Sequence, residues 1–219
     1  MDTAFILRFT PLYLSAIVLV LRLCFLGVVF SLAAGLLCAL FRYYRVPVLS
    51  PLSGVYIELS RNTPLLIQLF FLYFGLPRVG IRFESFTCAV IGLTFLGGSY
   101  MAEAFRGGLE AIGVNQIEGG LSIGLSRTQL IRYVVLPQAL SVAMPSLGAN
   151  VLFLLKETSV VSIIALADLT SVAKDLIGMY YKTNEALTML VAGYLLLLLP
   201  LSFLFRFAEK RLRYGEHGV

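Results

Sequence analysis

Apolar runs and polar interruptions divide the chain into five stretches long enough to cross a bilayer, which takes about 20 mainly apolar residues in a helix. The first, about 14–41, grows out of an apolar run from Leu12 to Leu40 that holds Arg22 and is closed by Phe41-Arg42-Tyr43-Tyr44-Arg45. A charge at mid-bilayer is costly, so this helix is set with Arg22 reaching to one interface and Arg42 and Arg45 at the other. Residues 1 to about 14 are then expected outside the hydrocarbon core or along its surface. The second stretch, about 52–76, carries Glu58, Arg61, Asn62, Thr63, Pro64 and Gln68. Polar side chains this dense in a span face a bundle interior or a wet cavity, and Pro64 removes one helical hydrogen bond and kinks the segment. Glu58 and Arg61, three residues apart, are also spaced to pair on the helix surface.

The third stretch, about 86–105, contains Gly92, Gly97, Gly98 and Ser99, small residues that let helices approach closely. The fourth, about 134–155, has Pro137 and Pro145 and a polar trace of Gln138, Ser141, Ser146 and Asn150. From Lys156 to Glu185 the pattern is too broken for a span: Val160 to Ala167 is apolar but short, and Asp168, Lys174, Asp175 and Lys182 follow. That segment reads as a re-entrant turn and an interfacial helix. The fifth stretch, about 187–207, is followed by the basic tail Lys210-Arg211-Leu212-Arg213.

The longest polar interruption, 106–132, has structure of its own. Asn115 to Ile123 reads as a short helix ended at Gly124, a residue suited to a left-handed helix end. Ser126 and Gln129 then form the Ser-x-x-Gln signature of a capping box that opens the next helix. Gly119 and Gly120 inside the short helix cost about 1 kcal/mol each relative to Ala. They are either tolerated breakers in a loop or the place where a partner surface comes close to the backbone.

Composition narrows the class. Only 13% of the 219 residues are charged and 59% are hydrophobic, with a mean hydropathy of +0.91, whereas a soluble domain carries about 25% charged residues. The net charge of +5 is scattered through the segments and makes no basic face, so nucleic acid is not an expected partner. Five spans put the termini on opposite sides. The tail, Arg42, Arg45, Arg106, Arg127 and Arg132 fall on one side, which the positive-inside rule assigns to the cytoplasm, with the N-terminus outside; Arg78, Arg82, Lys174 and Lys182 fall on the other. Cys24, Cys38 and Cys88 lie in apolar runs without a C-x-x-C pair and read as small buried hydrophobes. The N-terminus lacks the pattern of a cleavable signal peptide.

Catalytic signatures are missing. There is no G-x-x-x-x-G-K-[ST] phosphate loop, no H-E-x-x-H or Cys/His metal cluster, and the one histidine, His217, sits in the tail. No cofactor, metal or catalytic residue is therefore expected in this chain.

Glu118-Gly119-Gly120-Leu121-Ser122-Ile123-Gly124, followed by Val134-Val135-Leu136-Pro137, resembles the EAA loop of bacterial ABC importer permeases, in which Glu-Ala-Ala is followed after three residues by Gly and later by I-x-L-P. Both alanines are glycines here, and Val134 stands for the isoleucine. Glu58 to Gln68, Tyr73 to Pro77, Glu103 to Gly108, Leu136 to Ala139, Lys156 to Ser159 and Leu166 to Thr170 are similar to the polar amino-acid subfamily, in the family's order over about three quarters of the chain. The resemblance implies an all-α integral membrane fold of the type I ABC importer kind, with about five transmembrane helices and a cytoplasmic coupling-helix loop. It implies an ABC ATPase subunit carrying ATP and magnesium, a homo- or heterodimeric permease partner, an extracytoplasmic substrate-binding protein, and a place in the bacterial plasma membrane. Glu118, Gly119, Gly120 and Gly124 would couple to the ATPase. Thr63, Asn150, Glu157, Thr158 and Ser159 are the candidates for the substrate pathway.

The alternative class is a secondary carrier or channel subunit driven by an ion gradient. Such a carrier needs an acidic residue deep in a span, and only Glu58 leaves that open. Asn150 bears on the substrate. In the subfamily that position is often acidic in permeases for basic amino acids, and a neutral amide supplies no charge to balance a guanidinium or ammonium. The expected substrate is a zwitterion with an uncharged side chain, such as glutamine or cystine. Asn150 has a second reading, a hydrogen bond across helices.

Overall fold

A computed structural model describes residues 1–216, and His217 lies outside them. The described residues form helices joined by short turns, with no strand among them. Helix α1 (Thr3–Tyr43) is capped by Asp2, whose carboxylate accepts from the Phe5 N–H. Its 41 residues make a rod of about 60 Å, roughly twice the thickness of a hydrocarbon core. The first fourteen residues, expected off the membrane core, are thus a continuation of the first helix. They are ordered by packing: Phe5, Tyr13 and Ala16 are buried in a cluster with Leu169, Val172 and Leu176.

The second predicted span is not one kinked helix. It is α2 (Leu49–Arg61), a non-helical break at residues 62–64, and α3 (Leu65–Phe70), which continues as a π-helical turn, Phe71–Gly75, and a 3-10 turn, Leu76–Val79. Pro64 is extended at ψ 144°. A proline disfavours the helical conformation of the residue before it and donates no N–H, so the ladder stops where the sequence suggests a bend.

Helix α4 (Ser85–Glu110) packs along α1 by way of small residues. A Cβ on Gly35 would stand 2.5 Å from the Met101 Cβ and 2.8 Å from the Ala102 nitrogen, so the two backbones pass at a distance only glycine permits. Ser31 donates to the Leu93 carbonyl across the same seam. Helix α4 runs on to Glu110, five residues beyond the predicted span. Then come α5 (Val114–Ser122), α6 (Arg127–Leu130), a π-helical turn at Ile131–Val135, and α7 (Leu136–Glu157), extended by a 3-10 segment at Thr158–Ile164. Helices α8 (Leu169–Tyr180) and α9 (Thr183–Glu216) complete the described residues. The segment 156–185, read as a re-entrant turn and interfacial helix, is this 3-10 turn followed by α8, with Asp168 as the cap.

Among the described residues, four helical stretches are long and apolar enough to cross a membrane: Thr3–Tyr43, Ser85–Glu110, Arg127–Ile164 and Thr183–Arg211. The broken α2–α3 segment is the fifth element of the bundle. Leu23, Leu69, Leu93, Met101 and Leu154 fill the main core, while Phe25, Leu195, Leu196 and Phe203 point outward. Large apolar side chains on the outside of a bundle are what a hydrocarbon solvent requires.

The two ends are tied by different chemistry. At one, Glu103 accepts from Arg42 at 2.8 Å and from Arg106 at 2.7 Å, joining the C-terminal ends of α1 and α4. At the other, the Asp2 N–H donates to Glu185, Lys182 pairs with the Asp2 carboxylate, and the Tyr13 hydroxyl donates to the Ala186 carbonyl.

Candidate substrate cavity and docking loop

The loop forms from local signals. Helix α5 ends through Gly124, whose φ of +84° is the left-handed value. Ser126 accepts from the Gln129 N–H and Gln129 accepts in return from the Ser126 N–H, completing the capping box. A small apolar cluster of Ile112, Leu130, Val135 and Ala139, with Ile117 against it, seats α5 on the end of the bundle.

The two central glycines part company here. Gly120 faces inward, and a Cβ there would lie 2.5 Å from the Leu130 Cδ1. It lets α5 lie flat on α6, so it belongs to the loop's own packing and not to an outer contact. Gly119 has open space around it and is exposed with Glu118. The outer surface of α5 is therefore Glu118, Gly119 and their neighbours, with the Gly124 turn beside them.

At the helix break lies a cavity of about 480 Å³. Arg61 enters it from the end of α2, Asn62 and Thr63 from the break, Tyr100 from α4, and Phe153 and Glu157 from α7. Positions 153 and 157 are one turn apart, so both project from the same face of α7. The Arg61 guanidinium lies 5.2 Å from the centre of the Tyr100 ring, a cation–π arrangement. The expected pairing of Arg61 with Glu58 gives way to this: the Glu58 carboxylate accepts from Asn62 instead, at 3.2 Å. Arg61 is the last residue of α2, and its side chain reaches the Tyr100 ring on α4.

Of the five candidate pathway residues, the fold brings Thr63 and Glu157 to the cavity wall. The Thr63 hydroxyl donates back to the Leu59 carbonyl, which leaves it an acceptor toward the cavity. Asn150 stands behind the wall, its amide donating to the carbonyl of Tyr100 at 3.1 Å. That is the cross-helix reading, at a residue whose ring borders the cavity. Thr158 is fully buried, bonded to the Leu155 carbonyl, and Ser159 lies outside the lining, its carbonyl taken by Ser162. Arg61, Tyr100 and Phe153 were not among the sequence candidates. A cation just ahead of an Asn-Thr-Pro break was the available signal for the first; the aromatics gave none, since aromatic residues in a span are ordinarily core.

The sequence pattern described as "Binding-protein-dependent transport system inner membrane component" matches residues 27–214. The chain belongs to that family of permeases. This permease is 38% identical over 79% of its length to a probable amino-acid ABC transporter permease protein, PatM, of Vibrio harveyi, of which the match also covers 79%. It is 34% identical to the glutamine transport system permease protein GlnP of Escherichia coli (strain K12), over 93% of this chain and 94% of that one. Among solved structures, a chain from the crystal structure of an amino acid ABC transporter with histidines superposes with a TM-score of 0.88 at 34% identity, covering 96% of this permease and 99% of that chain. The methionine transporter MetNI shares the fold at 19% identity with a TM-score of 0.78, covering 97% and 99%.

Proposed function

We propose that this permease carries polar L-amino acids into the cytoplasm and that the cavity at the helix break is the station where the substrate is held. The observation that carries the reading is the meeting of Arg61 and Glu157 in one cavity. An α-amino acid bears a carboxylate and an ammonium on one carbon. A guanidinium is always charged and suited to a carboxylate, and a carboxyl on the facing helix suits an ammonium. Tyr100 and Phe153 offer apolar walls to the side chain. Once Glu157 is engaged by the α-ammonium, the cavity has no second carboxylate for a guanidinium or lysyl side chain, and an unpaired buried charge costs several kcal/mol. Asn150, with its amide spent on Tyr100, adds none. The preferred substrate is a zwitterion with an uncharged polar, thioether or disulfide side chain. Among relatives, one is a glutamine permease and another, TcyL of Bacillus subtilis, an L-cystine permease.

The energy source is a separate ABC ATPase that holds ATP and magnesium and docks on the exposed face of α5, with Glu118 and Gly119 at the contact, Gly120 beneath it and Gly124 fixing the turn. The cytoplasmic end is that of the loop and the Arg42–Glu103–Arg106 cluster, and the N-terminus with Asp2 and Lys182 lies outside, where a substrate-binding protein delivers its cargo. A second permease, identical or paralogous, completes the bundle. Ligands at opposite ends then bias one two-state element. Glu58, the acid that left a gradient-driven carrier open, is exposed and engaged by Asn62, which gives a coupling ion no buried partner.

The test is competition in reconstituted vesicles. Arginine fails to displace the best neutral substrate, Asn150→Glu raises the relative uptake of basic amino acids, and Arg61→Gln weakens uptake of every amino acid because it removes the carboxylate's partner. Tight arginine uptake by the unmodified transporter contradicts the charge argument.

A further inference from the structure

The geometry points to Gln68 as the residue that positions Arg61 and Thr63 in the cavity, by holding open the break in the helix that presents them. This rests on the cavity as the substrate's station. Pro64 has no N–H, so the Ser60 carbonyl loses the donor an unbroken helix would bring four residues on. The Thr63 carbonyl loses its donor too, because the Ile67 N–H turns to Pro64. Ser60 keeps a long bond from the Thr63 N–H at 3.4 Å. The Gln68 amide nitrogen reaches back from the first turn of α3 and donates to both, at 3.2 Å to Ser60 and 2.9 Å to Thr63. One carboxamide thus replaces two rungs of the ladder.

Ser60 is fixed independently. Its hydroxyl donates to the Phe95 carbonyl of α4 at 2.8 Å and meets Ser99 at 3.0 Å. Gln68 therefore ties α3 to a point already anchored on α4, and Arg61, at the end of α2, and Asn62 and Thr63, in the break, lie between the two fixed ends. The amide's orientation follows from chemistry: turned the other way, its oxygen would face two carbonyl oxygens. The same orientation leaves the Gln68 Oε1 buried without a partner among the described residues, on a side chain only 8% exposed. A buried unpaired oxygen is a cost a core of Leu or Met would avoid, and what offsets it here is the pair of bonds to the break.

The test uses the permease–ATPase complex in nanodiscs, with the L-amino acid taken up fastest from a panel of the twenty and cystine as the probe. Gln68→Met keeps length and removes both donors. It weakens binding of that amino acid about thirtyfold, the worth of two ordinary hydrogen bonds, while the amount of permease in the membrane is unchanged. In the same variant, maleimide labelling of Asn62→Cys in membranes speeds several-fold as the break loosens. Pro64→Ala returns an N–H to the Ser60 carbonyl, so adding Gln68→Met to it has a much smaller effect than in the native background. Gln68→Asn, which keeps the amide but is one methylene too short to span both carbonyls, behaves as Gln68→Met does and serves if that variant fails to insert. Unchanged binding in Gln68→Met, whatever the labelling does, overturns the positioning role, and so does an effect that Pro64→Ala leaves undiminished. If Arg61→Gln binds the amino acid as well as the native protein, the cavity reading fails instead, and the labelling and the Pro64 comparison still report whether Gln68 holds the break.

Discussion

Gly124 is legible in the sequence itself, because a left-handed helix end is decided by the few residues around it. A side chain at its φ of +84° meets its own backbone, so Gly124→Val strains the turn by about 1 to 3 kcal/mol. We expect the variant to insert normally and to lose transport; normal transport with normal ATPase co-purification would contradict the role given to the turn. Gly120 is less legible. Two adjacent glycines look alike in a sequence, and only Leu130 arriving from the next helix separates them. Gly120→Val drives its side chain into Leu130 and unseats α5, whereas Gly119→Ala adds a methyl in open space and raises helix propensity. Co-purification of the ATPase should fall with the first and hold with the second. Arg61 and Gln68 are visible as polar residues in a span, but their partners, the Tyr100 ring and the Ser60 and Thr63 carbonyls, exist only once the helix has broken.

That break is the element the sequence renders least well. Proline in an apolar run implies a kink, yet whether the helix resumes at once or after a gap depends on who satisfies the freed carbonyls. Here Gln68 does so for Ser60 and Thr63, and the Thr63 hydroxyl for Leu59, and the gap persists. The full length of α1 escapes the sequence for the opposite reason. Its first turns have too little apolar character to be a span by themselves, and they are helical because α8 and α9 give Phe5 and Tyr13 a surface. Asp2 closes that contact. The Phe5 N–H and, after it, the Lys182 ammonium hold its carboxyl below the ordinary carboxylate range. A carboxyl with a lowered folded value stabilises above its unfolded pKa of about 3.9 and loses that contribution as pH falls through the folded value. Asp2→Asn should therefore lower the thermal midpoint in detergent at pH 7, and the difference from the native protein should shrink progressively below about pH 4. A gap that stays constant into strong acid would show that the carboxylate is not what ties α1 to Lys182.

The class of the molecule is the easiest part to read, since so few charged residues in so apolar a chain leave only a membrane protein, and the order of polar motifs then indicates the family. The proposed sidedness rests on the arginines gathered at the loop end. A reporter active only in the cytoplasm should be active when fused after Gly218 and silent at the N-terminus; the reverse pattern would overturn the arrangement of the crossings. The central claim is that a neutral polar amino acid crosses through this bundle at the expense of ATP hydrolysed on a separate subunit. It is tested most directly by uptake of labelled glutamine and cystine into proteoliposomes containing the permease, its ATPase and its binding protein. The account predicts accumulation of at least one of them that requires ATP on the side of the ATPase and is indifferent to collapse of the proton and sodium gradients. Uptake that proceeds without ATP and stops when those gradients are dissipated would contradict it.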